Sequence, residues 1–380
     1  MKKQMTFLMA LVMGAGIAQA AEPEWDIGAT YRPRAEIDHR FGDNANFFIT
    51  HRARASVGLT QDQWSGFVQV QDVRTWGTEP GTATHQANVD LHQGFASYSY
   101  SPTAKLTIGR QEISYLNHRL IGNLDWAQPG RSFDAARATL GYEKVGWDIF
   151  AATISEATGK GRQDGGIVST VVQWDNAGRK LAAIGVADWS PWIKMDRYTF
   201  GPYSEGKLVG PLAYRVEGYW QTGELGNQDL KAYLGSAELA FAAAPFRVSG
   251  GYDRVSGAGN GYTAFDTLYA TNHKFYGYMD LFLALPRDTR GAGLQDAYGQ
   301  VAIAVSKMKV SLTGHRFWTE RPAGQVFGTE WDAVLDYSFS KVAQMQLAYG
   351  ILAAGEAFKV VRPNAPDYPN WTSLMLTVNL

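Results

Sequence analysis

Between Glu24 and Asp38 two chemically different sets of residues alternate without a break. Trp25, Ile27, Ala29, Tyr31, Pro33, Ala35 and Ile37 form one set; Glu24, Asp26, Gly28, Thr30, Arg32, Arg34, Glu36 and Asp38 form the other. A β-strand turns successive side chains to opposite faces, so this segment builds one greasy face and one charged face. A soluble sheet buries the first and wets the second. A membrane barrel reverses the arrangement, with grease against lipid and charge in the lumen.

The same alternation returns at 47–60, 212–221, 246–253, 330–339 and 371–380. Thirteen weaker candidates, among them 103–115 and 275–284, raise the total to nineteen. Single-chain bacterial barrels take even strand numbers, so one candidate is surplus, and the expectation is an all-β antiparallel up-and-down barrel of 18 strands, with 16 the next choice. Several runs exceed the usual five or six residues of a strand in a soluble protein. A charged side chain facing lipid at mid-depth costs roughly 2–4 kcal/mol, which assigns Arg32, Arg34, Glu36 and Asp38 to the wet face. The Gly-rich stretches 256–274 and 286–294 read as long loops, either able to fold inward as a constriction.

Residues 1–20 carry a basic start (Lys2, Lys3), an apolar run and a small-residue ending Ala18-Gln19-Ala20. This is the layout of a cleavable signal peptide, leaving 21–380 as one barrel domain. Loss of Lys2 and Lys3 takes the net charge from −1 to −3, without the basic excess that nucleic-acid binding requires. There is no cysteine, hence no disulfide and no thiolate metal site. The seven histidines form no HExxH motif and no close pair on one strand face, and no GxSxG elbow is present. The sequence calls for no cofactor and no catalytic or metal-binding residues. Tyr and Trp, enriched here, suit membrane interfaces.

GRQEISY, NHRLIGNLDW and GRSFDAAR within residues 109–137, TNHKFYGYMDLF at 271–282, VQDVRTW at 70–76, LQDAY at 294–298 and the ending LMLTVNL together resemble the alginate export family of outer-membrane porins. The resemblance implies a monomeric 18-stranded barrel in the outer membrane of a Gram-negative bacterium, inserted by the barrel assembly machinery among outer-membrane lipid. It further implies an arginine-rich lumen that conducts an anionic polysaccharide.

Arginine suits an anion path because its planar, permanently charged fork donates paired hydrogen bonds to carboxylates. Arg32, Arg34, Arg52 and Arg54 fall on the expected lumen faces of the first two strands and are the first candidates for solute contact. Arg110, Arg131 and Arg137, in the family-like block, follow, then Arg74, Arg215 and Arg247. Glu36, Asp38, Glu112, Asp134, Glu217 and Asp253 are available as partners, so each arginine has two open roles: touching solute or bracing the wall. The reading is a passive channel for hydrophilic, anionic solutes or an alginate-like polysaccharide. The alternatives are a general diffusion porin for small solutes, an outer-membrane barrel enzyme and a structural envelope protein.

Overall fold

The computed structural model describes residues 22–79, 88–155 and 164–380; the expected signal peptide lies outside the described residues. Among these, eighteen antiparallel strands form one sheet in chain order, and β1 pairs with β18 to close it. The strands are β1 (Glu24–His39), β2 (Asn46–Gln61), β3 (Trp64–Thr75), β4 (Val89–Ser101), β5 (Ala104–Gln111), β6 (Phe133–Tyr142), β7 (Val145–Ser155), β8 (Gly165–Asn176) and β9 (Arg179–Ser190). They continue as β10 (Met195–Val209), β11 (Leu212–Leu225), β12 (Gln228–Ala243), β13 (Phe246–Val255), β14 (Leu294–Val305), β15 (Met308–Trp318), β16 (Val326–Ser338), β17 (Ala343–Ala354) and β18 (Asn370–Asn379). Closure leaves no edge: Ala29 and Leu380 exchange backbone hydrogen bonds at 2.8 and 3.0 Å, and Tyr31 sits opposite Val378.

The alternation of each strand sorts as physics demands. On β1, Trp25 and Ile27 face outward, 60% and 75% exposed, while Arg32 and Arg34 turn inward and are buried. At the end that holds both outer strand termini the connections are tight. Ala177 and Gly178, with φ of 50° and 77°, form a two-residue turn whose positive angles match the twist of paired strands. The opposite end carries the long connections. In outer-membrane barrels the short turns face the periplasm and the long loops the exterior.

The surplus strand candidate is 275–284. Instead of crossing the membrane it belongs to one inward-folded segment, residues 256–293, which joins β13 to β14 and contains 3-10 turns at Asn272–Lys274 and Arg287–Thr289. Apolar and aromatic residues dominate 275–284 because they are buried inside the barrel: Phe275, Tyr276, Met279, Leu281 and Phe282 are all buried. The candidate 103–115 ends early for a related reason. Its strand stops at Gln111, and residues 112–132 also fold into the lumen. Ile113, Tyr115, Leu120 and Ile121 of this segment pack with Phe133, Phe150, Ile167, Val171, Ile184 and Val186 from the inner wall of β6–β9. The loop end of the barrel therefore encloses an apolar core like that of a soluble domain.

Sidedness gives a test. Leu312→Arg, at a lipid-facing position midway along β15, is expected to lower the unfolding free energy in lipid vesicles by about 2–4 kcal/mol. Thr313→Arg, one residue on and facing the lumen cavity, is expected to cost much less in the same denaturant titration.

Candidate functional site

Peptide groups carried into the lumen must replace the hydrogen bonds they had with water. Residues 125–129 do so chiefly through the arginines of β1 and β2. Arg32 donates to the carbonyls of Asp125 (2.8 Å), Trp126 (3.3 Å) and Ala127 (3.1 Å), and to the Gln128 side chain (3.1 Å). Arg34 reaches the Trp126 carbonyl at 3.1 Å, binds Glu36 at 2.8 Å and lies 4.7 Å from the Trp126 ring centre. Arg52 donates to the Asp125 carboxylate at 2.9 Å. Arg54 is shared among Gln71, Glu112 and the Pro129 carbonyl. All four guanidiniums face the lumen, but most of their donors go to this loop, with Glu36 and Gln71 of the wall taking one each.

The same segment is tied to the opposite wall by Arg119, which is 1% exposed. Its guanidinium meets Asp253 of β13 at 2.7 Å, Glu217 of β11 at 3.2 Å and Ser236 of β12 at 3.0 Å, and lies 3.7 Å from the Phe275 ring centre. Arg131 joins the two inward segments to each other, donating to the carbonyls of Gly122, Tyr269 and Ala270. Trp126 stacks flat on His273 at 3.9 Å between centroids. Loop 112–132 thus spans the barrel from β1–β2 to β11–β13, with 256–293 packed against it.

The other sequence candidates divide by face. Arg137 points inward and pairs with Asp148 at 2.8 Å, at the edge of a vestibule of about 900 Å³ that opens at the turn end. Asp38 binds Arg40 at 2.7 Å, and Arg40 in turn donates to the Met279 carbonyl. Three assignments are corrected. Arg74 shares the outer face of β3 with Val68 and Val70, next to Asp72, Glu79 and the β2 residue His51. Arg110 shares the outer face of β5 with Leu106 and Ile108, and its partner Asp134 lies outward on β6. These charges are tolerated outside because they sit at the ends of strands near the loop rim, where the penalty falls to about 0–1 kcal/mol.

Arg215 and Arg247, from inward positions on β11 and β13, line a lumen cavity of about 370 Å³ beneath the second inward segment. They share one carboxylate, Glu238, at 3.1 and 3.2 Å, which also accepts from Tyr298 at 2.9 Å. Lys274, on the 3-10 turn above them, reaches the same cavity. Among the described residues no carboxylate pairs with it. Burial, then the charges of Arg215 and Arg119, lower the pKa of its ammonium. Asp253, also on this wall, is already engaged by Arg119. Arg215, Arg247, Lys274 and Lys309 line this cavity beside Glu238, Asp253, Asp332 and Asp336, so it holds charges of both signs, with Lys274 on its loop side. Neither Lys274 nor Arg119 stood out in the sequence, since one closes a stretch read as a loop and the other's partners are 98 and 134 residues away.

Comparison with known proteins agrees with this architecture. The family model described as "Alginate export" matches residues 23–370, and the chain belongs to that family. Among solved structures the fold is similar to Acinetobacter baumannii OccAB4, at 11% identity and a TM-score of 0.67, covering 95% of this chain and 99% of that one. OccAB1 of the same organism gives 11% and 0.68 over 94% and 96%. OpdK of Pseudomonas aeruginosa, solved with vanillate, gives 10% and 0.63 over 93% and 98%. No curated protein matches. The chain is an outer-membrane β-barrel of a channel family.

Two outcomes follow for the tied loop. Arg119→Met strands Glu217 and Asp253 without their cation, which for a buried pair costs about 3–5 kcal/mol. Unfolding titration is expected to record that loss, together with new trypsin cleavage at Arg131. Burial raises the pKa of Glu112, but hydrogen bonds from His92 and Asn123 and the charge of Arg54 outweigh it and hold the carboxyl below its usual range. A depressed acid stabilises the fold above its unfolded value of about 4.3 and loses that contribution as pH falls through the folded value. Trypsin-accessible loop, assayed after brief acid exposure, is therefore expected to be constant from neutral pH down to the ordinary glutamate range and to rise below it.

Proposed function

We propose that this member of the alginate export family is a passive channel for hydrophilic anionic solutes, uronate oligomers among them, and that Lys274, Arg215 and Arg247 form its anion-attracting station. The observation that carries the reading is Lys274: an exposed ammonium with no carboxylate partner among the described residues, facing a cavity beside two arginines that share Glu238. A carboxylate entering there supplies the missing counter-charge. Arg215 and Arg247 turn their forks toward the same space, and weak, shared attachment lets an anion both arrive and leave. The cavity volume falls within the roughly 300–1,000 Å³ of small-molecule sites.

In this reading the Arg32, Arg34, Arg52 and Arg54 group has a positioning role, holding the loop that narrows the path. Arg137 faces the vestibule at the turn end, where a partly exposed guanidinium adds to the attraction of anions. Selectivity then depends on where charge stands along the path rather than on the near-neutral total. A general diffusion porin is the second reading, favoured by the large opening of the vestibule.

The test is reversal potential across a planar bilayer in a salt gradient. The wild-type channel is expected to prefer anions, Lys274→Gln with Arg247→Gln to lose most of that preference, and galacturonate oligomers to block the former more strongly. Arg52→Gln is expected to leave the preference in place while adding current noise from the loosened loop. Equal selectivity in the wild type and the double variant would sink the anion station and leave the general porin.

A further inference from the structure

We propose that the outer wall of the barrel at its loop rim carries a binding site for the phosphorylated sugar headgroup of an outer-leaflet glycolipid. The site is built from Lys231, Arg254 and Arg321 around Glu320 and two tyrosines. Lys231 and Arg254 lie on the outward faces of β12 and β13, and Arg321 follows β15 in the loop to β16. Glu320 is fully enclosed and accepts from the Tyr233 hydroxyl and Arg254 at 2.8 Å each and from the Gly257 amide at 2.9 Å, with Arg321 Nε 2.9 Å away. The Tyr262 ring is flanked by Lys231 Nζ at 4.8 Å and the Arg321 guanidinium at 4.9 Å, and it meets the Tyr233 ring edge-on at 5.5 Å.

The charge count is what points to a ligand. Two arginines meet one carboxylate, and Lys231, which shares the Tyr262 ring with Arg321, has no acidic partner among the described residues. Arg316, outward on β15 and bonded to the Thr329 hydroxyl, adds a fourth cation two strands from Arg254. Asp229 and Glu224, opposite each other at the rim of β11 and β12, bound the patch on one side. Arginine forks match phosphate oxygens in pairs, and lysine adds a point charge.

Depth in the membrane decides the kind of ligand. Next to Arg254, and one register step across β14, lie Tyr252 and Trp318 with ring centres 6.2 Å apart. Such rings sit at headgroup level. Below them Val248, Val301 and Leu312 are lipid-exposed, so a ligand held by the cations would lay its acyl chains along this wall. A lipid with phosphates on a sugar headgroup satisfies both halves; a free anion satisfies only the first. This site is independent of what passes through the lumen.

The full barrel, refolded in detergent, would be mixed with bisphosphorylated lipid A and examined by native mass spectrometry. Parallel arms would use phosphatidylethanolamine and inorganic phosphate. The wild-type protein is expected to retain lipid A against washing, and Lys231→Gln/Arg254→Gln/Arg321→Gln to bind it at least about tenfold more weakly, as expected when charge-assisted bonds are lost. Lys231→Gln alone, which disturbs no ion pair, is expected to give a smaller drop in a fold that is intact. Retention unchanged in both variants, or equal retention of phosphatidylethanolamine and lipid A, would overturn the site. Displacement of lipid A by millimolar inorganic phosphate would overturn the lipid assignment in favour of a free anion.

Discussion

Hydrogen bonding of buried peptide carbonyls is the constraint on which this barrel's interior depends. A wall of eighteen strands satisfies its own backbone, but two long segments brought inside do not, and each carbonyl they carry needs a donor. Arginine is suited to the task because five N–H groups on a rigid fork serve several acceptors at once. Arg32 alone serves three successive carbonyls and a side-chain amide. The apolar residues of the same segments then fill the space between loop and wall. Polar clamps at the edges and grease in the middle turn part of the lumen into ordinary protein core.

That division explains why arginine-rich faces here do not all have one role. A guanidinium whose donors are spent on backbone carbonyls has little left for a passing solute. Cations with room around them stand elsewhere: Arg137 at the vestibule, and across the barrel Arg215 and Arg247, which share Glu238, with Lys274 above them. Charge that is structurally consumed and charge that is available differ in partners, not in residue type.

Much of the wall was legible in the chain. Period-two alternation found the strands because a lipid face and a water face leave opposite residues at adjacent positions, as on β1. It failed at 275–284, where aromatic density came from burial among loops, a cause that local pattern does not separate from strand burial. The outward placement of Arg110 was implicit in the parity it shares with Leu106 and Ile108, and the low cost of charge at the rim removed the objection that would have moved it. Arg119 was beyond reach: its role comes from Glu217 and Asp253, brought near only by closing the barrel.

The loop's seat is assembled from both ends of the chain. Trp371 of β18 donates to Glu36 of β1 at 3.1 Å and touches the Trp126 ring edge-on, while Glu36 in turn orients Arg34 against the Trp126 carbonyl. One wall of that seat is missing until the last strand pairs with the first. Closure and loop docking therefore stabilise each other: the pairing of first and last strands completes the seat, and the seated crossbeam adds contacts that hold those two strands together.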